Sequence, residues 1–411
     1  MTAAENAPFQ STSLPDSTTA VETPSHHHPL ADLRGAAQLA TDATHATTEL
    51  VEAVHATVQA LFRPDSISGQ GHTTGLTGWI YHTVRQITLL SGRSTAWALG
   101  TIERATGPRP PSNRQARDRL LSVLNGVLGD HLDASDNPLA RPFSLHTPEG
   151  HRLNVGATRS TGPNTLVVFV HGLCLSDRAW LPTTDRPGHV EALTDAVAGT
   201  PVLARYNTGR PIWTNGRALS DSLEELTLGA KGDSRMVLVA HSMGGLVVRS
   251  AVRHACRTSA SWPDRVTETI YLGTPHQGAV LERAGAWVEK QLRRTPVTTP
   301  FASLARLRSR GIQNLRHGAT APHDTASTPD RVENETASDR VLYVAGTLAP
   351  HQPAGNTVGD GLVPVSSALN APHPPPVPNR RVFNRLGHFD LLHAPVVTEH
   401  LCQWLSASNS S

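Results

Sequence analysis

The period of the apolar positions changes along this chain, and each change marks a different kind of element. Leu50, Val51, Val54, Val58 and Leu61 recur at intervals of three or four, which predicts an amphipathic helix. Arg63-Pro64-Asp65 and glycines 69, 71 and 75 end it. A second helix is predicted from about Thr77 to Glu103, with Trp79, Ile80, Val84, Ile87, Leu90, Trp97 and Ile102 as its apolar face. Pro108, Pro110 and Pro111 mark a linker. A third helix, about Asn113–Leu128, carries Leu120, Leu121, Val123, Leu124, Val127 and Leu128. Residues 29–140 therefore form a helical region. Its first two helices are either a hairpin packed on the rest of the molecule or a surface for a membrane or a partner.

From about 141 short β-branched runs alternate with helical stretches, the pattern of a doubly wound, mostly parallel sheet. Strands are expected at Leu166–Val170, Val202–Tyr206, Met236–Ala240, Thr269–Leu272, Val341–Ala345 and Arg381–Phe383, and helices at Asn215–Leu228 and Pro395–Leu405. Residues 279–318 interrupt the alternation. They pair apolar residues such as Trp287, Leu292, Phe301 and Leu307 with eight Lys/Arg against two Glu. Such an insertion is either a mobile lid at a lipid surface or a fixed cap over a pocket. About 319–338 is polar and reads as a mobile loop, and 1–28, rich in Ser, Thr and Pro, reads as a disordered tail.

Composition narrows the class. The net charge is +2 over 411 residues, so no nucleic-acid partner is implied. The three cysteines, Cys174, Cys256 and Cys402, are too few and too scattered for a disulfide framework or a paired metal site. His26-His27-His28 stands in the tail with no second cluster beside it. The first residues lack a basic start and an apolar core, and no window approaches a membrane span, so a cytoplasmic protein is expected. No cofactor or metal is expected, and oligomeric state is not written in the sequence.

The chemistry centres on Arg235 to Ala251, RMVLVAHSMGGLVVRSA. A buried strand runs into His241-Ser242-Met243-Gly244-Gly245 and out into a helix, the context of a nucleophile elbow. The motif reads AxSxG, with Ala240 where glycine is commoner. A serine hydroxyl needs a base to take its proton, and the base needs an acid to orient it. Asp360 sits between glycines in Val358-Gly359-Asp360-Gly361-Leu362 after one strand. His388 sits in Leu386-Gly387-His388-Phe389 after the last, with His393 as a rival. The oxyanion donors expected are the backbone amides of Leu173, after the strand Leu166–Val170, and Met243, after the serine. Cys174 is expected to line the pocket as a small residue rather than to act as a second nucleophile.

The stretches VHGLC, AHSMGGLVVR, YLGTPHQG, VGDGLVPVSSA and GHFDLL, in this order, resemble an α/β-hydrolase of the bacterial lipase/esterase group, and are also similar to the GPI inositol-deacylase-like branch. Tyr206-Asn207-Thr208-Gly209-Arg210 is similar to a stretch of such lipases. The resemblance covers about 160–405 and implies cleavage of a carboxylic or lipid ester through an acyl-serine, with Ser242, Asp360 and His388 as triad. An acyltransferase could use the same residues, and a non-catalytic scaffold could keep the same fold. Residues 29–130 match no motif of the family.

Overall fold

The computed structural model describes residues 29–62, 75–106, 114–153, 165–183, 186–229, 234–278, 309–315, 338, 340–351, 359–370 and 379–407. The tail at 1–28, the proline linker, the insertion at 279–318 except for 309–315, and the loop at 319–338 except Ser338 lie outside the described residues.

The chain opens with three helices, α1 (Pro29–Phe62), α2 (Gly75–Thr106) and α3 (Arg114–Ala134). There follow β1 (Ser144–His146), β2 (Thr165–Val170), α4 (Val190–Ala196), β3 (Thr200–Arg205), α5 (Ile212–Gly229), β4 (Arg235–His241), α6 (Met243–Thr258) and β5 (Val266–Leu272). The described residues end with α7 (Arg310–Leu315), β6 (Arg340–Thr347), α8 (Val365–Ala368), β7 (Arg380–Asn384) and α9 (Pro395–Ser406). The strands form one sheet in the order β1-β3-β2-β4-β5-β6-β7. Among the described residues only β1 is antiparallel to its neighbour; all other pairs are parallel.

The sheet needs apolar residues on both faces because helices cover both. Along β2 and β4 the alternation divides the core in two. Val168, Val170, Leu238 and Ala240 pack towards α3, α5 and α6, with Leu124, Leu219 and Val247 among their neighbours. Val167, Phe169, Val237 and Val239 pack on the other face with Trp180, Leu193 of α4 and Leu401 of α9. The register sets Val168 level with Val202 and Leu238, so the central strands end together and deliver their following loops to one edge.

Of the two alternatives for the first two helices, the side chains of α2 bear on the second. The apolar face read along α2 does not pack inward; Trp79, Ile80, Val84, Ile87, Leu90, Trp97 and Ile102 are all exposed. α2 meets α1 away from that strip, where Gly92 lies against Thr41 and Arg85 pairs with Glu52, with Gly100 facing Arg34 at the border. Small residues let two helices come close, and that close approach wins over the larger side chains. On α1, Val51 is exposed as well. α1 is tied to the body by Asp32–Arg117, by Asp42–His131 and by Gln38 donating to the Ser135 carbonyl. α3 is different again, because Leu121, Leu124, Val127, Leu128 and Leu132 belong to the main core.

Candidate active site

The turn between β4 and α6 holds Ser242 at φ 54° and ψ −126°, a conformation L-residues avoid at a cost of about 1–3 kcal/mol. Its own amide donates to the Leu272 carbonyl at 2.9 Å, and its carbonyl accepts from Gly245 at 3.0 Å. Two residues on, a Cβ on Gly244 would overlap the carbonyl oxygen of Val170, so only glycine fits where helix and strand cross. Ala240 is fully buried in β4, and its methyl group is accommodated.

Three loops that leave the same edge of the sheet bring the other groups to this serine. The Ser242 hydroxyl donates to His388 Nε2 at 2.8 Å, and His388 Nδ1 donates to Asp360 Oδ2 at 2.7 Å. The other carboxylate oxygen of Asp360 accepts from the amides of Leu362 (3.0 Å) and Val363 (2.8 Å). Gly361, at φ 99°, gives the turn that aims those amides. The His388 amide donates to the Asp360 carbonyl at 3.0 Å, so acid and base are joined through backbone as well as side chain. The rival His393 points elsewhere, with its Nδ1 donating to the Pro187 carbonyl at 3.2 Å.

His241, next to the serine, carries no functional expectation from the sequence. Its Nε2 donates to the backbone carbonyl of His388 at 3.0 Å, and the two rings lie 4.7 Å apart. Burial first, then the neighbouring His388, hold its pKa well below the usual histidine value, so it braces the His388 loop as a neutral ring. The only sequence signal for it is its position beside Ser242.

The loop after β2 carries Leu173 to the cleft that holds Ser242, and Met243 is the first residue of α6, where an amide has no acceptor within its helix. The side chain of Cys174 does not line the cleft as expected. At φ 57° it turns its sulfur into the body, against Gly126 of α3, and burial pushes its thiol up to about 12. It is a buried neutral group with no base beside it.

The stretch 206–210 holds this loop. Tyr206 donates to the His171 carbonyl and stacks on its ring at 4.3 Å. Thr208 Oγ1 accepts from the Cys174 amide at 3.1 Å, and Asn207 Nδ2 donates to the Gly129 carbonyl of α3 at 2.8 Å. α3 comes this close because it is bare there: a Cβ on Gly126 would meet Cys174, and one on Gly129 would meet Asn207. The cleft itself is walled by Leu173, Leu175, Leu315, Leu362, Val363 and Phe389. Among the described residues no group of three or more His, Cys, Asp or Glu is placed to hold a metal ion.

A mostly parallel sheet with one antiparallel edge strand, flanked by helices and carrying a serine on a strained strand-to-helix turn, decides the architecture. The fold is that of an α/β-hydrolase. Residues 218–343, from α5 into β6, match the family model of the PGAP1-like alpha/beta domain. Among solved structures, the chain is similar to a lipase from Bacillus licheniformis in its mature form, at 20% identity and TM-score 0.41, covering 64% of this chain and 98% of the lipase. An α/β-hydrolase superfamily protein from Enterococcus faecalis is similar at 13% identity and TM-score 0.37, covering 64% and 94%. A thioesterase of the prodiginine pathway in Streptomyces coelicolor is similar at 17% identity and TM-score 0.33, covering 59% and 86%. No curated protein has a matching sequence.

Proposed function

We propose that this α/β-hydrolase is a serine hydrolase that cleaves carboxylic esters, lipid esters included, through an acyl-serine intermediate. The observation that carries the reading is the relay from Ser242 Oγ to His388 Nε2 at 2.8 Å and from His388 Nδ1 to Asp360 at 2.7 Å, buried beside an apolar cleft. Ser242 Oγ attacks the acyl carbon as its proton passes to His388 Nε2. The Leu173 and Met243 amides hold the oxyanion that forms. The imidazolium, held in one orientation by Asp360, returns the proton to the leaving alcohol as the carbon–oxygen bond breaks. Water then repeats the sequence on the acyl-serine, with His388 taking its proton and Ser242 Oγ as the group that leaves. The walls of Leu173, Leu175, Leu362 and Phe389 suit an aliphatic acyl chain better than a charged one.

Covalent labelling tests the reading. A fluorophosphonate is expected to add once to the protein, and peptide mass analysis to place the adduct on Ser242. Adduct on any other residue, or no adduct from folded protein that cleaves a p-nitrophenyl ester, would reject the assignment.

A second expectation concerns the loop behind Leu173. Thr208→Val keeps the shape and removes the acceptor of the Cys174 amide. Leaving that buried amide unpaired should cost about 1–3 kcal/mol of stability. It should also lower kcat by roughly tenfold, less than the 10²–10³ that follows outright loss of an oxyanion donor. Steady-state kinetics on a p-nitrophenyl ester and a urea titration read the two effects. An unchanged kcat would mean that the loop keeps its place without Thr208.

A further inference from the structure

Seven of the twelve large apolar side chains that are exposed among the described residues lie on α2. They are not scattered. Trp79, Leu90 and Trp97 fall within about 20° of one another around the helix, and Ile80 and Ile87 form the strip beside them. Trp97 is 72% exposed, Leu90 68%, Trp79 64% and Ile87 60%. The two tryptophans are eighteen residues apart, five turns, so the strip is about 27 Å long.

The charge around the strip has one sign. Arg93 and Arg104 lie about 20° apart on the flank next to the tryptophans, both exposed. The single acidic residue of α2, Glu103, is turned towards Arg34 of α1, at 3.6 Å. Thr83, Ser91, Ser94 and Thr101 interrupt the apolar positions, and no helix among the described residues is long and apolar enough to cross a membrane. Such a helix lies in a lipid–water boundary rather than through it. Its tryptophans put an apolar body and a polar N–H at the depth where the boundary offers both environments. The helix is backed as a rigid plate would need to be, through Arg85–Glu52 and His55–Tyr81 to α1, and from α1 through Asp32–Arg117 to α3.

We propose that the outer face of α2 docks this protein onto an anionic lipid surface, with Trp79, Leu90 and Trp97 entering the headgroup layer and Arg93 and Arg104 against the lipid phosphates. The docking does not depend on the ester-cleaving reading, because it uses no residue of the Ser242 cleft.

Sedimentation of the full chain with vesicles tests it. The protein is expected to pellet with phosphatidylcholine vesicles that contain about one-third phosphatidylglycerol, and weakly with phosphatidylcholine alone. Raising salt from about 0.1 M to about 0.5 M should weaken the binding. The charge-reversed variant Arg93→Glu/Arg104→Glu touches no buried contact and should lower partitioning to anionic vesicles by at least about tenfold. The variant Trp79→Ser/Leu90→Ser/Trp97→Ser should lose binding to both vesicles, and each variant should cleave a soluble monomeric ester at the unaltered rate. If the serine variant fails to fold, the charge pair still decides. Failure of the unaltered chain to pellet overturns the proposal, as do variants that pellet like it. A dimer in light scattering that Leu90→Ser turns into monomer, with no vesicle binding, would give the face to a second copy and overturn it equally.

Discussion

Ser242→Ala should leave a folded protein with kcat/KM for a p-nitrophenyl ester lowered by roughly four to six orders of magnitude. The serine is 9% exposed, and its side chain has no structural bond beyond that to His388, so the alanine protein should melt at or above the unaltered temperature. Alanine keeps the backbone strain of this position, so any gain in stability would come from removing a buried hydroxyl and not from relief of the turn. Asp360→Asn should lose activity by roughly 10⁴ for another reason. An amide in place of the carboxylate favours the wrong tautomer of His388. Doubling the change should not double the loss: Ser242→Ala/Asp360→Asn should be no slower than Ser242→Ala alone, because the relay acts as one unit. Residual activity within tenfold of the unaltered enzyme in either single variant would mean another nucleophile or another acid.

The second large effect is on stability, and acid produces it. His146, His171 and His189 are buried, and burial is the first cause that lowers each from 6.5 to about 4. His189 spans the last part of the chain, with Nδ1 on Thr398 at 2.9 Å and Nε2 donating to the Leu391 carbonyl at 2.8 Å. The unfolded chain takes up these protons below about 6.5 and the folded chain does so only near 4. The folded-state pKa is depressed, so the stability is fully present above the unfolded value and is lost as pH falls from about 6.5 towards 4. Each ring can remove up to about 3 kcal/mol across that window, which for three rings approaches the whole stability of an ordinary domain. His241 and His276, also lowered by burial, add in the same direction. Asp177 is outside this window. Burial alone would raise it, but its two bonds to Arg205 at 2.7 and 2.8 Å bring it below 3.8, so its contribution fades only in stronger acid. Urea midpoints measured between pH 7 and pH 5 should therefore fall steeply, and His171→Phe should flatten the fall. A midpoint constant over that range would show that the buried rings are protonated in the fold.

What could be read from the sequence was whatever is written locally. Ser242, Asp360 and His388 each sit in a turn whose neighbours announce it: Gly244 where helix crosses strand, Gly361 where the carboxylate turn needs positive φ, Gly387 before the histidine. The sheet was legible for a related reason, since short apolar runs rich in β-branched residues alternate with longer helical stretches, which fits strands buried on both faces. β1 was missed because three residues, Ser144–His146, carry no period at all. α4 was missed because seven residues with a single apolar pair make no stripe. The orientation of α2 was unreadable on different grounds. Periodicity says that Leu90 and Trp97 share a face, but not whether that face meets protein; Gly92, on the other side, lies directly against Thr41 of α1, a closer approach than the larger residues allow. Thr208 and His241 act through single hydrogen bonds to residues 34 and 147 positions away, which no local pattern can reveal.

The way α3 is built in bears on how the protein is made. Its leucines belong to the same core as β2 and β4, and Gly126 and Gly129 receive Cys174 and Asn207. Yet Asn207 is 78 residues further along the chain from Gly129. On the ribosome, at about 5–20 residues per second, α3 emerges several seconds before the strands that will cover it. During that interval Leu121, Leu124 and Leu128 have only α1 and α2 for company, and a good part of the apolar surface of α2 is itself uncovered. The nascent chain therefore passes through a stage in which these helices are sticky and unfinished, and that stage lasts until β4 and α6 have followed residues 206–209 out.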